Sequence, residues 1–475
     1  MDLHFQRRTK IVCTLGPACR GEVLSGLIEA GMNVARLNFS HGTQEEHRQW
    51  IRQVRGAAQA LGKPVAVLQD LAGPKIRLGE FYPERVNLSP GQSFTLTNRP
   101  IIGDQHQGAV NYPELIGAVP VGASILLADG LIQLQVQDKS DTDLHCRVVV
   151  GGTLSSHKGI NLPSLGLPIS AMTAKDREDL LFGLKNGVDL IALSYVRYRH
   201  DVEEVKELIK KHGFETPVIA KIEKQKALEN LEEILAVADG LMVARGDLGV
   251  ETPLERVPLV QKHLIEAANR VGKPVITATQ MLASMVSNPN PSRAEATDVA
   301  NAIMDGTDAV MLSEETAIGL YPREAVKFMD RIARATEASL PYEDWLKTRG
   351  RFRGEEISDV ISYAACGIAD DLKAQAILAT TASGSTARLI SRFRPKTPII
   401  GITPLVETWR RLCLSWGVFP LLCRDLQSTD HMLSLVKDEA VRTGWVARGD
   451  RVIVTAGTPI GIRGTTNLIK ADIIT

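Results

Sequence analysis

Gly240-Leu241-Met242-Val243-Ala244-Arg245-Gly246-Asp247-Leu248-Gly249-Val250-Glu251 runs from an apolar stretch straight into charged and glycine positions. Ala220-Lys221-Ile222-Glu223 precedes it by about one strand-helix-strand unit. Each segment reads as a buried strand with a polar tip. A lysine, two carboxylates and glycine amides therefore meet at neighbouring strand ends. Carboxylate pairs hold divalent cations, a lysine beside them faces an anion, and amides at a helix start add partial positive charge. This equipment suits a phosphorylated or carboxylated substrate on a metal.

Working outward, eight short apolar runs recur at 11–15, 32–39, 64–70, 189–196, 217–223, 240–247, 274–280 and 308–313. Continuous apolar character marks strands buried on both faces. Amphipathic helical segments such as 202–212 and 254–271 lie between most of them. Strand-helix alternation implies parallel strands, and eight of them predict a closed (β/α)8 TIM barrel.

The spacing breaks after Asp70. Turn residues (Ser89-Pro90-Gly91, Pro120-Val121-Gly122, Asp129-Gly130, Gly151-Gly152) divide short alternating segments, with strands expected at Ser124–Leu127, 131–137 and 144–150. That texture predicts a small all-β lid domain inserted in the barrel. Another boundary falls near Ser339-Leu340-Pro341-Tyr342. Beyond it a C-terminal α/β regulatory unit is expected, with strands at 376–379, 398–402, Val418–Leu422 and 451–455 in a doubly wound sheet. The expected domains are barrel 1–71, lid 72–171, barrel 172–341 and effector-binding domain 342–475.

Composition narrows the function classes. Lys plus Arg equals Asp plus Glu at 55 each, which argues against a nucleic-acid or anionic-membrane surface. No apolar run approaches the ~18 residues of a membrane span, and residues 1–10 lack a signal-type core. Six cysteines without a C-x-x-C pair suit reduced thiols in the cytoplasm.

In such barrels chemistry gathers at the C-terminal strand ends. Those ends carry Arg36, Asn38, Ser40 and His41; Asp70, Lys75 and Arg77; Ser194; Lys221 and Glu223; Arg245 and Asp247; Thr279 and Gln280; Ser313 and Glu315. Polar residues at nearly every exit exceed what turn formation requires.

From end to end the chain resembles the pyruvate kinases. The resemblance rests on Thr14-Leu15-Gly16-Pro17, Met32 to Gly42, Gly73-Pro74-Lys75-Ile76-Arg77 and Lys158-Gly159-Ile160-Asn161-Leu162-Pro163. It continues through Lys221-Ile222-Glu223, Met242 to Glu251, Ala278-Thr279-Gln280-Met281-Leu282 and Met311-Leu312-Ser313. It implies phosphoryl transfer from phosphoenolpyruvate to ADP, giving pyruvate and ATP. Such chemistry needs positioning and charge neutralisation more than covalent help.

By resemblance, Glu223 and Asp247 hold Mg2+ (or Mn2+), Lys221 neutralises the phosphoryl group in flight, and Arg36 holds the phosphate. Amides at Gly246 and Asp247 take the carboxylate, Thr279 lies by the enolate carbon, and Ser313 helps order the protonating water. Asn38, His41, Arg77 and Lys158 fit nucleotide phosphates. A homotetramer is implied too.

Plainer readings stand beside these. Alone, Lys221 would be a rim charge or half an ion pair, and Asp247 a helix N-cap before Leu248. His41 with His47 could suggest a metal pair, but solvated helix histidines are the simpler reading. Thr279 and Ser313 could be structural hydroxyls.

One departure is chemical. Where potassium-dependent pyruvate kinases carry a glutamate, this chain has Lys75, and Leu71 replaces a threonine. An ammonium there disfavours a nearby cation. The expectation is that Lys75 stands in for K+ near Asn38, Ser40 and Asp70. Lys226 and Glu314 also depart from the common pattern, and Glu314 adds charge beside Ser313.

In the C-terminal unit, Thr381, Ser383, Gly384, Ser385 and Thr386 lie between a strand and a helix and form a plausible phosphate nest. The resemblance implies a sugar-phosphate or AMP-type effector there, assisted by the loop 457–467; a hydroxyl-rich turn is the plainer alternative. Two rival readings of the whole chain remain. One is a metal-dependent aldolase or lyase acting on a 2-oxo acid; the other is a catalytically silent metabolite sensor.

Overall fold

The computed structural model describes residues 6–163, 170–423, 429–458 and 465–475. Its centre is a closed barrel of eight parallel strands. These are β1 (Lys10–Thr14), β2 (Val34–Asn38), β3 (Ala66–Asp70), β4 (Leu190–Leu193), β5 (Val218–Ile222), β6 (Gly240–Ala244), β7 (Val275–Ala278) and β8 (Ala309–Leu312). Neighbours follow chain order, and β8 returns to pair with β1.

Every strand residue except Asn38 is buried. Val12, Val34, Leu68, Ala192, Ile219, Met242, Ile276 and Met311 fill the lumen. Their neighbours in sequence, among them Ile11, Ala35, Val67 and Ile191, pack outward under the helices. Both faces are apolar, which is why each strand reads as an unbroken run. The expected spans overrun at some ends because flanking residues such as Met32 and Phe39 are buried outside the strands. Capping boxes at Thr43/Glu46, Thr173/Asp176 and Ser292/Glu295 start three of the surrounding helices.

Between β3 and the helix Ala174–Lys185 the chain leaves the barrel to build a β unit. It has a six-stranded sheet, with Ile160–Asn161, Ser124–Leu127, Ile132–Lys139, Asp143–Val150, Ser93–Thr97 and Gln107–Ala109 side by side, and a separate pair, Arg85–Leu88 with Gly152–Ser155. Sequence reading finds three of these strands. The others are short or carry exposed polar positions that weaken the alternation, as in Arg85–Leu88. The unit hangs from the C-terminal rim. A Cβ added at Gly130, in its Asp129-Gly130 turn, would lie 3.7 Å from Val250 Cγ1 on the barrel.

The C-terminal sheet runs Val418–Leu422, Ile399–Thr403, Ala376–Thr380, Arg451–Gly457 and Thr466–Ile473, with only the last strand antiparallel. Separate apolar clusters line its two faces. The fifth strand escapes sequence reading because most of its residues are at least partly exposed. No helix among the described residues is long and apolar enough to cross a membrane.

This unit docks under the barrel, where Cys413 and Leu414 join the lumen cluster. Three aspartates just before β4, β6 and β8 tie the floor together. Asp189 accepts from Val67 N at 2.7 Å, Asp239 from Val218 N at 2.9 Å and Asp308 from Val275 N at 3.1 Å. Asp308 also binds the C-terminal Arg394 at 2.9 Å and accepts from Trp416 N at 3.1 Å. Arg394, 1% exposed, donates further to Asn269 and to the Gly306 carbonyl.

Removing one partner of such a buried pair strands the other charge, at a cost of about 3–5 kcal/mol. Asp308→Ala is therefore expected to lower the denaturant midpoint markedly. Asp308→Ala/Arg394→Met, which removes both charges, should recover part of the loss. Equal midpoints for the single and double variants would show that the stranded guanidinium is not the cause.

Candidate active site

Side chains alternate faces along a strand, so residues in step with the lumen set point inward. Thr14 follows Val12, Arg36 follows Val34, Asp70 follows Leu68, Ser194 follows Ala192, and Lys221 follows Ile219. The layer above the apolar lumen is therefore polar, and five strands contribute to it.

Asp70 is its hinge. Its Oδ2 accepts from Arg36 Nε at 2.7 Å, and its Oδ1 from Lys221 Nζ at 3.2 Å. Lys221 also donates to Ser194 Oγ at 2.7 Å and pairs with Glu223 Oε1 at 2.9 Å. Arg36 reaches Thr14 Oγ1 at 2.9 Å, and Ser194 Oγ donates to the Leu71 carbonyl at 2.8 Å. Glu223 Oε2 takes the Tyr195 amide at 2.9 Å.

Burial alone would push the Lys221 pKa down, but Asp70 and Glu223 outweigh it and hold the ammonium above its ordinary value. Burial would raise the Asp70 pKa, yet Lys221 and Arg36 keep it below the usual carboxylate range. Glu223 goes the other way. Burial raises its pKa, Lys221 opposes, and the like charge of Asp247 raises it again. Two cations thus face three carboxylates, and the surplus charge lies on the Glu223–Asp247 side.

Asp247 comes from the helix Arg245–Glu251, whose N-cap is Ala244. It stands inside the first turn, so the N-cap reading is corrected: the helix starts earlier, directly off β6. The Gly246 amide donates to Thr279 Oγ1 at 2.8 Å, and Thr279 Oγ1 donates to the Ala278 carbonyl at 2.7 Å. Thr279 and Gln280 both adopt left-handed backbone, φ 67° and 55°, a strained choice for non-glycine residues and above all for a β-branched one. Arg245 holds that turn by donating to Ala278 O at 3.1 Å and Thr279 O at 2.6 Å, anchored itself on Asp298 at 2.7 Å. At β8, Glu315 Oε2 accepts from Ser313 N at 2.6 Å. The neighbouring Glu314 is exposed, so the carboxylate at Ser313 is Glu315.

The remaining expected residues stand further out. Asn38 Oδ1 accepts from Ser40 N at 3.1 Å, and Ser40 and His41 are exposed. His47 is not solvated: it is buried, stacked on Phe39 at 3.9 Å, with Nε2 3.0 Å from the His41 carbonyl. Arg77 bridges to Gly159 and donates to the His157 carbonyl at 3.0 Å, which puts it beside the exposed Lys158. Its charge also reaches the half-buried Tyr195 phenol. A Cβ at Gly159 would lie 3.4 Å from Lys75 Cε. Among the described residues Lys75 forms no hydrogen bond to Asn38, Ser40 or Asp70, whose carboxylate is taken by Arg36 and Lys221.

In the C-terminal loop, Thr381 Oγ1 accepts from Gly384 N at 2.9 Å, and Gly384 sits at φ 85°. Ser383 Oγ meets Ser385 Oγ at 3.1 Å, and the buried Thr386 hydroxyl meets Thr466 at 2.8 Å. Ser383 and Ser385 are the partly exposed members. Much of the assisting loop, 459–464, lies outside the described residues.

Sequence reading left Thr14, Ser194, Tyr195 and Arg245 without roles. Ser194 and Arg245 were visible as strand-end residues, and strand parity with Val12 would have pointed to Thr14.

The family model described as pyruvate kinase, barrel domain, matches residues 6–326, and the pyruvate kinase alpha/beta domain matches 359–471. The chain is 51% identical to pyruvate kinase 2 of Synechocystis sp., covering 98% of this chain and 79% of that protein. It is 48% identical to the pyruvate kinase of Geobacillus stearothermophilus, over 99% of this chain and 81% of the relative. With the Clostridium acetobutylicum pyruvate kinase it shares 44% identity across 98% of this chain and the full length of the relative.

Asp70→Asn leaves two buried cations short of a carboxylate, at about 3–5 kcal/mol. Because its folded pKa lies below the ordinary aspartate value of 3.8, the stabilisation is present above that value and lost as pH falls through the folded pKa. The stability gap between wild type and Asp70→Asn should therefore stay constant from about pH 8 to about pH 5 and close only under stronger acid. A gap that narrows between about pH 7 and about pH 5 in denaturant titrations would contradict this charge assignment.

Proposed function

The chain belongs to the pyruvate kinase family of phosphotransferases, and on that premise we propose how its residues serve the transfer of the phosphoryl group of phosphoenolpyruvate to ADP. The observation that carries the reading is the buried Lys221 ammonium at the barrel mouth, held by Asp70, Ser194 and Glu223 with Asp247 alongside.

The P–O bond to the enol oxygen breaks while a β-phosphate oxygen of ADP bonds to phosphorus, and the enolate then takes a proton at carbon. Negative charge on the equatorial oxygens is what a fixed, desolvated ammonium stabilises best, because no solvent must reorganise as the charge moves. Asp70 keeps Lys221 charged and aimed. Arg36, pinned by Asp70 and Thr14, takes the phosphate end of the substrate. The Asp247 amide, in the first turn of its helix, has no intrahelical acceptor and is the donor for the substrate carboxylate. Gly246, already bonded to Thr279, orients that hydroxyl toward the reacting carbon. Ser313, its amide fixed by Glu315, is the candidate for ordering the protonating water.

Glu223 and Asp247 suit a divalent cation, Mg2+ or Mn2+, because the like charge of Asp247 raises the Glu223 pKa at a site with a surplus of carboxylate. When bound there, such an ion would neutralise substrate carboxylate and phosphoryl oxygens. Asn38, His41, Arg77 and Lys158 would contact the nucleotide phosphates, the last two from the β unit and its hinge. We further propose that Lys75 replaces a monovalent cation, its ammonium turning from Gly159 toward Asn38 and Ser40 when substrates bind. The Thr381–Thr386 loop is the proposed site for a phosphorylated effector. The cytoplasm suits six free cysteines, and a homotetramer suits exposed Leu254, Leu259, Leu320 and Ile357.

Lys221→Met is expected to lower kcat by about three orders of magnitude in a coupled assay of ATP formation, with KM for phosphoenolpyruvate moving less than about tenfold. A kcat within about tenfold of wild type would remove Lys221 from the transition state. With tetramethylammonium as the sole monovalent cation, activity should match that in K+, whereas Lys75→Glu should become K+-dependent. An absolute K+ requirement in wild type would defeat the substitution.

A further inference from the structure

Tyr195 stands just past β4 with its backbone in the left-handed region, φ 57°. That conformation is costly for an aromatic residue and persists only where its surroundings hold it. Two contacts do so. The Tyr195 amide donates to Glu223 Oε2 at 2.9 Å. The ring lies against Gly73, where an added Cβ would meet Tyr195 Cδ2 at 2.6 Å and no side chain fits. Gly73, itself at φ 68°, starts the turn into Pro74 through which the chain leaves the barrel for the β unit. One residue therefore touches a candidate metal carboxylate with its backbone and the hinge with its side chain. A second tie runs to the other carboxylate. Lys224 Nζ is 5.3 Å from the centre of the Tyr195 ring and pairs with Glu251 at 2.6 Å. Glu251 ends the helix Arg245–Glu251 that carries Asp247, and its neighbour Val250 faces the Asp129-Gly130 turn of the β unit. Burial pushes the phenol pKa up, Glu223 and Asp247 push it further, and Arg77 in the hinge opposes them. The neutral ring thus lies in the field of both carboxylates.

Both Glu223 oxygens are engaged, one by Lys221 and one by the Tyr195 amide. A cation shared with Asp247 must draw on one of them, and a shift of that carboxylate carries the amide with it. Close-packed contacts transmit such shifts instead of absorbing them, and the ring has no free space toward Gly73. On the reading of Glu223 and Asp247 as the divalent-cation pair, we propose that Tyr195 is a positioning residue for that pair. Its amide orients Glu223, and its ring, seated on Gly73, makes the hinge of the β unit respond to the cation. Such coupling is reciprocal, so a hinge that loses the ring holds the cation less well. Arg77 lies in that hinge and Lys158 in the unit beyond it, which connects the cation to the groups proposed for the nucleotide.

The test uses Mn2+ alone with the full chain, read by electron paramagnetic resonance for affinity and by hydrogen exchange for the amides of residues 71–78. Saturating Mn2+ should slow exchange there by about fivefold or more in wild type. Tyr195→Ala should bind Mn2+ about fivefold more weakly and, once saturated, show no slowing, and Tyr195→Phe should restore both. Circular dichroism checks folding; Tyr195→Leu, which fills more of the space, replaces the alanine variant if that one is unfolded. A hinge response that persists in the folded variant, or one absent from wild type, overturns the proposal, as does failure of Tyr195→Phe to restore it. Glu223→Gln separates the coupling from the cation reading. Wild-type affinity in Glu223→Gln removes the carboxylate pair and the coupling with it. Loss of Mn2+ there, with affinity and hinge response intact in Tyr195→Ala, removes the coupling alone.

Discussion

Asp70 sits between two cations that cannot otherwise share one buried layer. Arg36 and Lys221 would repel each other in the desolvated mouth of the barrel, and the carboxylate bonded to both at 2.7 and 3.2 Å makes their joint burial possible. Glu223 extends the array on the far side of Lys221. The result is a row of alternating charge in which the ammonium has one fixed place. Transfer of a phosphoryl group asks for that above all, since the charge it stabilises is spread and short-lived.

That row rests on a scaffold built for rigidity. The strands are apolar on both faces, and the lumen beneath the polar layer is filled by Val12, Leu68, Ile219, Met242 and their neighbours. Packing of this density leaves the polar tips little freedom. Opposite ends of the same strands do different work. The C-terminal ends carry the charge row, whereas Asp189, Asp239 and Asp308 at the N-terminal ends tie down neighbouring amides and, through Arg410 and Arg394, the C-terminal unit. Strain is stored in the turn after β7, where Thr279 and Gln280 hold positive φ under the grip of Arg245.

The eight barrel strands were legible because a run buried on both faces leaves an unbroken apolar signature, and the polar tips mark the end where each run stops. The small β strands were less legible. Arg85–Leu88 and Thr466–Ile473 expose much of their surface, so local pattern says little about their pairing. The same blindness hid the partners of each site residue. Lys221 was recognisable, but Ser194 as its hydrogen-bond acceptor and Tyr195 as the amide behind Glu223 were not, because hydrogen bonding across strands has no signature in either strand alone. His47 shows the converse: its polar helix suggested water, and only the fold placed it against Phe39.

By itself, then, the amino-acid sequence determined the strand-helix alternation, the family, and which side chains crown the barrel, since periodicity and residue type are local properties of the chain. Tertiary structure alone decided that Asp70 meets both Arg36 and Lys221, which lies 151 positions further along, and that Gly246 is spoken for by Thr279. It alone set the Tyr195 ring against Gly73. Closure of the barrel set those distances, and electrostatic energy depends on separation in space, to which separation along the chain is no guide.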